Sequence, residues 1–326
     1  MKMNDRSRFL SFVSTNNGNQ GNSFSGSNSN TALPMLTRPS TTRNNVTAFL
    51  GEFVGTFLFL FFSFAGTQIV TSLAPVYEPN STIALPNASN LTFIALVFGL
   101  SLMANVWAFY RVTGGLFNPS VALALCLVGG LSKIRALVTV FAQILGAIAA
   151  AGVVSALFPG PMNVETTLGG GASTVQGLFI EMFLTAELVF VIIMVAAEKH
   201  KSTFLAPVAI GIAFFLAELV GVYFTGGSLN FARSLGPAVV NRNFPSYFWI
   251  YFLGPILGSL LASGFYALLK YLRFKECNPG QDSDDEEKAR LGSSATEKSP
   301  IFTKHTNDGH VSVSTPPNGP VSPGNA

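Results

Sequence analysis

The chain has 326 residues, 49% of them hydrophobic and only 11% charged, with a mean hydropathy of +0.45. A soluble domain carries about a quarter charged residues, so this composition excludes a surface that faces only water. A net charge of +3 is too small and too dispersed for a nucleic-acid binder, and two cysteines, Cys126 and Cys277, build neither a disulfide framework nor a metal set.

Residues 1–47 are rich in Asn, Ser, Thr and Gly, lack an apolar run, and are expected to form a disordered tail. No secretory signal is recognised ahead of the first apolar stretch, near Ala48. Apolar segments of spanning length, about 20 residues, then follow at 48–72, 91–110, 134–157, 175–197, 204–224 and 247–270. Two further apolar pieces, 118–128 and 230–240, are too short to span. The membrane-spanning region is thus expected over 48–271, and 272–326 as a second disordered tail. That tail holds an acidic run from Asp282 to Glu287 and Pro-directed hydroxyls at Ser299, Thr315 and Ser322, a composition suited to phosphorylation.

The basic residues are unevenly spread. Lys2, Arg6, Arg8, Arg38 and Arg43 precede the first span, and Arg111, Lys133 and Arg135 lie around the second and third. Lys199 and Lys201 separate the fourth from the fifth, and Lys270, Arg273 and Lys275 close the sixth. The 73–90 and 158–174 loops contain no Lys or Arg. Both termini are therefore expected on the cytoplasmic side. The 73–90 loop carries three Asn-x-Ser/Thr sequons, making Asn80, Asn87 and Asn90 glycosylation candidates on an outward loop.

Both short pieces begin in the same way. Thr113-Gly-Gly leads to Asn118, and Thr225-Gly-Gly leads to Asn230. The glycine pair permits a sharp, close-packed backbone, and the Asn can cap a helix that starts there. Pro119 stands in a first turn, where proline is tolerated. Other features repeat too: Glu52-x-x-x-Thr56 matches Glu181-x-x-x-Thr185, and Gln143-x-x-Gly146 matches Pro255-x-x-Gly258. Each half (about 48–157 and 175–271) then has three spans and one half-helix. Three is odd, so the second half crosses in the opposite sense, and the half-helices enter from opposite faces to meet near the midplane.

Two helix N-termini meeting there repel a cation and welcome a neutral solute that can accept hydrogen bonds from Asn118 and Asn230. Glu52 and Glu181 are carboxylates in apolar spans, best used as acceptors for loop backbone that a bilayer cannot hydrate. Glu187 also lies in a span, with no role assigned. Arg233, three residues after Asn230, offers donors to a solute and a permanent barrier to cations. His200, His305 and His310 lie in a loop or tail, and no nucleophile, base or metal-ligand constellation accompanies them, so no enzyme and no cofactor is expected.

These residues resemble the aquaporin, or major intrinsic protein, family over about 48–271. Its paired Asn-Pro-Ala boxes correspond to Asn118-Pro119-Ser120 and Asn230-Phe231-Ala232. The resemblance implies an all-α membrane fold of six spanning helices and two half-helices. It also implies one pore per subunit, a homotetramer in a lipid bilayer, and a narrow filter made of Phe98, Glu218, Gly227 and Arg233. The long polar tails look like those of fungal members, and the plasma membrane is the expected location.

Three departures from the family pattern stand out. Ser120 replaces Ala in the first box, Phe231 replaces Pro in the second, and Glu218 stands where water channels usually have His. Phe231 bears on loop geometry and pore width there, and Glu218 either pairs with Arg233, weakening the cation barrier or blocking the path, or turns away to hydrogen-bond backbone or a neighbouring helix. Glycerol-type relatives resemble a pattern with Asp after the filter Arg, where this chain has Ser234. Ala238 and the pair Tyr251-Phe252 look like the water-type pattern. Water is the expected permeant, with hydrogen peroxide next. The alternatives are a channel for glycerol or other small neutral solutes, or a non-conducting membrane scaffold.

Overall fold

A computed structural model describes residues 41–72 and 88–277 of the chain. Residues 1–40 and 278–326 of the tails, Asn80, Asn87 and most of the 73–90 loop lie outside these described residues, whereas 41–47, expected in the disordered tail, are helical. Within them all regular structure is helical. The helices are α1 (Thr41–Ser72), α2 (Ala88–Phe109), α3 (Pro119–Leu127), α4 (Lys133–Leu157), α5 (Thr174–Ile192), α6 (Ala206–Thr225), α7 (Phe231–Asn241) and α8 (Ile250–Tyr271). Six of the segments are long and apolar enough to cross a membrane. The short ones, α3 with 9 residues and α7 with 11, are the two half-helices.

The boundaries follow from local chemistry. Ser132 caps α4 by accepting from the Arg135 backbone, and Ser173 with Gln176 forms a capping box at the start of α5. Helix α6 stops at Gly226, whose φ of 80° is the left-handed conformation that glycine adopts at little cost. Helix α1 begins at Thr41, ahead of the expected Ala48. Its polar first turns leave the apolar stretch but stay helical: Thr47 Oγ1 donates to Arg43 O, and Arg135 Nε on α4 donates to Asn45 Oδ1. Asn90, expected in a loop, sits in the first turn of α2.

Two equivalent sets of four helices pack together. Helix α1 lies on α4 as α5 lies on α8, and α2 pairs with α6 across the repeat. Each half-helix packs on the last span of the other repeat, α3 on α8 and α7 on α4. The α1–α4 and α5–α8 crossings are close because Gly146 faces the Phe53 carbonyl and Gly258 faces the Met182 carbonyl, with no room for a Cβ at either. Large apolar side chains such as Leu137, Phe141 and Phe183 are exposed on the opposite helix faces, as suits contact with lipid.

At one end of the bundle α5 runs into a π-helical turn, Ile193–Ala197. Glu198 follows and ties together the last turns of α8 and the segment after it: its Oε1 accepts from Tyr266 Oη and from Lys270 Nζ (2.8 Å), and Oε2 lies 3.2 Å from Lys275 Nζ. Burial raises the pKa of this carboxyl, but the hydrogen bonds from Lys270 and Tyr266 and the two lysine charges outweigh it and hold the group below its usual value.

Candidate functional site

The twin loops have nearly superimposable backbone chemistry. Gly114 and Gly115 have φ of 98° and 67°, and Gly226 and Gly227 have 80° and 60°. Phe117 and Leu229, each just before its Asn, are both held at φ 49°. A left-handed conformation at a bulky residue is costly, so something must hold it there. The holder is a carboxylate. Glu52 accepts from Leu116 N (3.2 Å) and Phe117 N (2.9 Å), while Glu181 accepts from Ser228 N (3.0 Å) and Leu229 N (2.8 Å). Gln143 Nε2 donates a third bond to Glu52 at 2.8 Å. Both carboxylates are fully buried.

The two Asn residues tie the loops to each other. Asn118 Nδ2 donates to Leu229 O at 2.9 Å, and Asn230 Nδ2 donates to Phe117 O at 2.8 Å. Their Oδ1 atoms cap the half-helices, accepting from Ser120 N (2.8 Å) and Arg233 N (3.3 Å). An amide has two N–H groups, so one on each Asn is spent on the opposite loop and the second is left for a solute. Both Asn residues line a narrow cavity of about 30 Å³. A cavity needs roughly 10–15 Å³ to hold a water molecule, so this one has room for about two. It runs from the Asn pair past Val121, Leu125, Leu188 and Ile192 to Ala196 and Ala197 at the π-helical turn.

Among the remaining box residues, Pro119 occupies the first turn of α3, Ser120 accepts through its carbonyl from Ser259 Oγ at 2.9 Å, and Ala232 is buried. The Phe231 ring packs away from the cavity. It turns to Phe252 (centroids 5.1 Å) and Phe248 (6.3 Å) and is absent from the cavity lining. The first helical position needs no intrahelical N–H partner, so Phe serves there as Pro does in α3.

Phe98, Glu218, Gly227 and Arg233 are brought together at the other side of the Asn pair. Arg233 is 2% exposed, with Nη1 donating to Val164 O at 2.8 Å and Nη2 to Gly226 O at 3.3 Å. Its guanidinium carbon lies 4.9 Å from the Phe98 ring centroid and 5.6 Å from that of Phe64. Among the described residues Glu218 makes neither of its two expected contacts: it forms no ion pair with Arg233 and no hydrogen bond to backbone or a neighbouring helix. Both its carboxylate oxygens are buried without a hydrogen-bond partner, and they press against Gly227, where a Cβ would collide with them. The two carbonyls fix the guanidinium first, so its charge stays uncompensated by direct contact.

The Val164 carbonyl comes from the 158–174 loop, which is itself anchored. Gln68 donates to Pro161 O and accepts from Asn163 N, each at 2.9 Å, and Asn241 donates to Met162 O at 2.9 Å. Ser234, next to Arg233, accepts from Thr166 Oγ1 at 2.8 Å and lies 2.6 Å from Ser228 Oγ, joining this loop to the second twin loop.

A family model described as "Major intrinsic protein" matches residues 39–266. The chain belongs to the major intrinsic protein family. It is 57% identical over 242 residues to "Aquaporin-7" of Botryotinia fuckeliana, an alignment covering 74% of this chain and 53% of that one. "Probable aquaporin-3" of Gibberella zeae is 53% identical over 234 residues, covering 72% of this chain and 81% of that one. The chain thus spans only about half the length of some curated relatives it matches. Among solved structures, the aquaglyceroporin from Plasmodium falciparum superposes with a TM-score of 0.58 at 22% identity, covering 68% of this chain and 95% of that one, a likeness of fold.

Within this aquaporin-type frame two residues of the site were not singled out in the sequence. Phe59 and Phe214 both line the cavity. Phe59 lies two turns after Glu52 and Phe214 one turn before Glu218, so each shares a helix face with a residue already noted. That spacing was the available signal, hidden among thirty Phe.

Proposed function

We propose that the chain forms a passive transmembrane pore for water, and for hydrogen peroxide, that excludes ions and protons. The observation that carries this reading is the reciprocal Asn118 and Asn230 pairing, which leaves one free N–H per Asn at a cavity of water dimensions. A solute there accepts hydrogen bonds from both sides, while two half-helix N-termini oppose any cation. Peroxide shares the size and hydrogen bonding of water and fits the same path. Glycerol is disfavoured: the expected Glu218–Arg233 pair that would have drawn Arg233 to the wall is absent, and Phe98 and Phe214 crowd the path. The same reading has a homotetramer in the plasma membrane with both termini cytoplasmic. Family membership supports the assembly, and the Lys/Arg distribution supports the orientation.

A panel of solutes on the purified full chain in liposomes tests the selectivity. Water and peroxide are expected to cross faster than in protein-free vesicles, with glycerol near the protein-free rate. Glycerol entering as readily as peroxide would contradict this assignment.

A further inference from the structure

Three phenylalanines from three helices meet on the filter side of the Asn pair. Phe214 of α6 packs edge-on against Phe59 of α1 (centroids 5.8 Å, planes at 65°) and Phe98 of α2 (6.0 Å, 69°). Phe59 and Phe98 close the triangle at 6.3 Å and 77°. Phe59 and Phe214 line the cavity that holds Asn118 and Asn230, whereas Phe98 does not and stands under Arg233. The triangle therefore lies between the Asn pair and the filter arginine. Its rings are buried, with 0–1% exposure, and the cavity that reaches Phe59 and Phe214 is not lined by Phe98 or Arg233.

From this geometry we propose that Phe214 is the gating and size-selecting side chain of the pore, an aromatic plug that must swing aside for each solute. The inference rests on the pore reading above. Helix motion is not available to widen the gap. Helices α2 and α6 cross at Gly99 and Gly211, where a Cβ on either glycine would meet the carbonyl of the other. Phe98 is adjacent to the first of these glycines and Phe214 lies three residues after the second, so both rings ride on a locked crossing. Opening is then a side-chain rotation, the kind of event that takes place in picoseconds to nanoseconds for free rings and more slowly for packed ones. An apolar constriction also resists hydration until it opens, which keeps charged species out. Phe98 is held against the Arg233 guanidinium, and Phe214 and Phe59 reach the Asn cavity. Phe214 touches both other rings and lines the Asn cavity, so its truncation extends that cavity toward Phe98, on which Arg233 rests.

The test compares the full chain in liposomes with Phe214→Ala, Phe214→Leu and a control, Leu216→Ala, whose side chain is 52% exposed on the outer face of the same helix. Each preparation is normalised to folded protein per vesicle. Phe214→Ala is expected to raise water permeability several-fold and to admit glycerol, Phe214→Leu to fall between it and the wild type, and Leu216→Ala to match the wild type. Protons stay excluded, because Arg233 and the Asn pair are intact. If Phe214→Ala fails to fold, Phe214→Leu gives the answer. Wild-type flux with unchanged water and glycerol rates in the folded variants overturns the gate and leaves the pore reading standing. A silent wild type with a conducting Phe214→Ala supports the gate. No flux through any of them overturns both.

Discussion

Glu181→Ala is expected to abolish recovery of folded, monodisperse protein. The carboxylate is fully buried and accepts both Ser228 N and Leu229 N, the second of which belongs to a residue held in the left-handed region. Removing it orphans two backbone donors where neither solvent nor neighbouring side chains replace the acceptor. Each buried unsatisfied group costs about 1–3 kcal/mol, or roughly 2–6 kcal/mol together, against a total stability on the order of 5–15 kcal/mol for a typical protein. Glu181→Gln keeps one acceptor oxygen but aims an amide N–H at a backbone N–H, so it is expected to be intermediate. The order wild type, Gln, Ala should appear in the melting temperature of the detergent-solubilised protein. An alanine variant that melts with the wild type would mean that the second twin loop is held by something other than Glu181.

Arg233→Ala should open the pore to protons and small cations while leaving water flux at least as high. The guanidinium is held beside the path by Val164 O and Gly226 O, and Glu218 does not reach it. A cation passing about 4–5 Å away meets a repulsion of about 3–4 kcal/mol at an effective dielectric of about 20, equivalent to a barrier of at least a hundredfold. Removal also frees two carbonyl oxygens at a narrow point, and carbonyl oxygens are what cation pathways use as ligands. A pH-sensitive dye inside liposomes reads the leak under an imposed proton gradient. A proton rate unchanged from wild type would move the exclusion elsewhere, to the half-helix dipoles at Asn118 and Asn230.

The spans and the twin loops could be read from the sequence because they rest on signals of one dimension. A bilayer demands about twenty apolar residues in a row, and a cap followed by a first-turn residue has a fixed spacing, so Asn118 and Asn230 marked α3 and α7 to within a residue. The start of α1 at Thr41 was hidden because its first turns are polar and continue by hydrogen bonds that hydropathy does not register. Contacts between distant helices were harder still. Nothing in the one-dimensional pattern says that the Val164 carbonyl would reach Arg233 before Glu218 could, or that the Phe231 ring would turn to Phe252 and leave the pore. The Phe59–Phe98–Phe214 triangle joins three helices, and in a chain with thirty Phe no local feature distinguishes those three.

The most direct measurement is stopped-flow light scattering of liposomes holding the purified full chain, with a pH dye inside. Osmotic shrinkage faster than that of protein-free vesicles, with internal pH unmoved under a proton gradient, is expected if water passes between Asn118 and Asn230. Shrinkage at the protein-free rate, in folded wild type and folded Phe214→Ala alike, would contradict a water path through the twin loops.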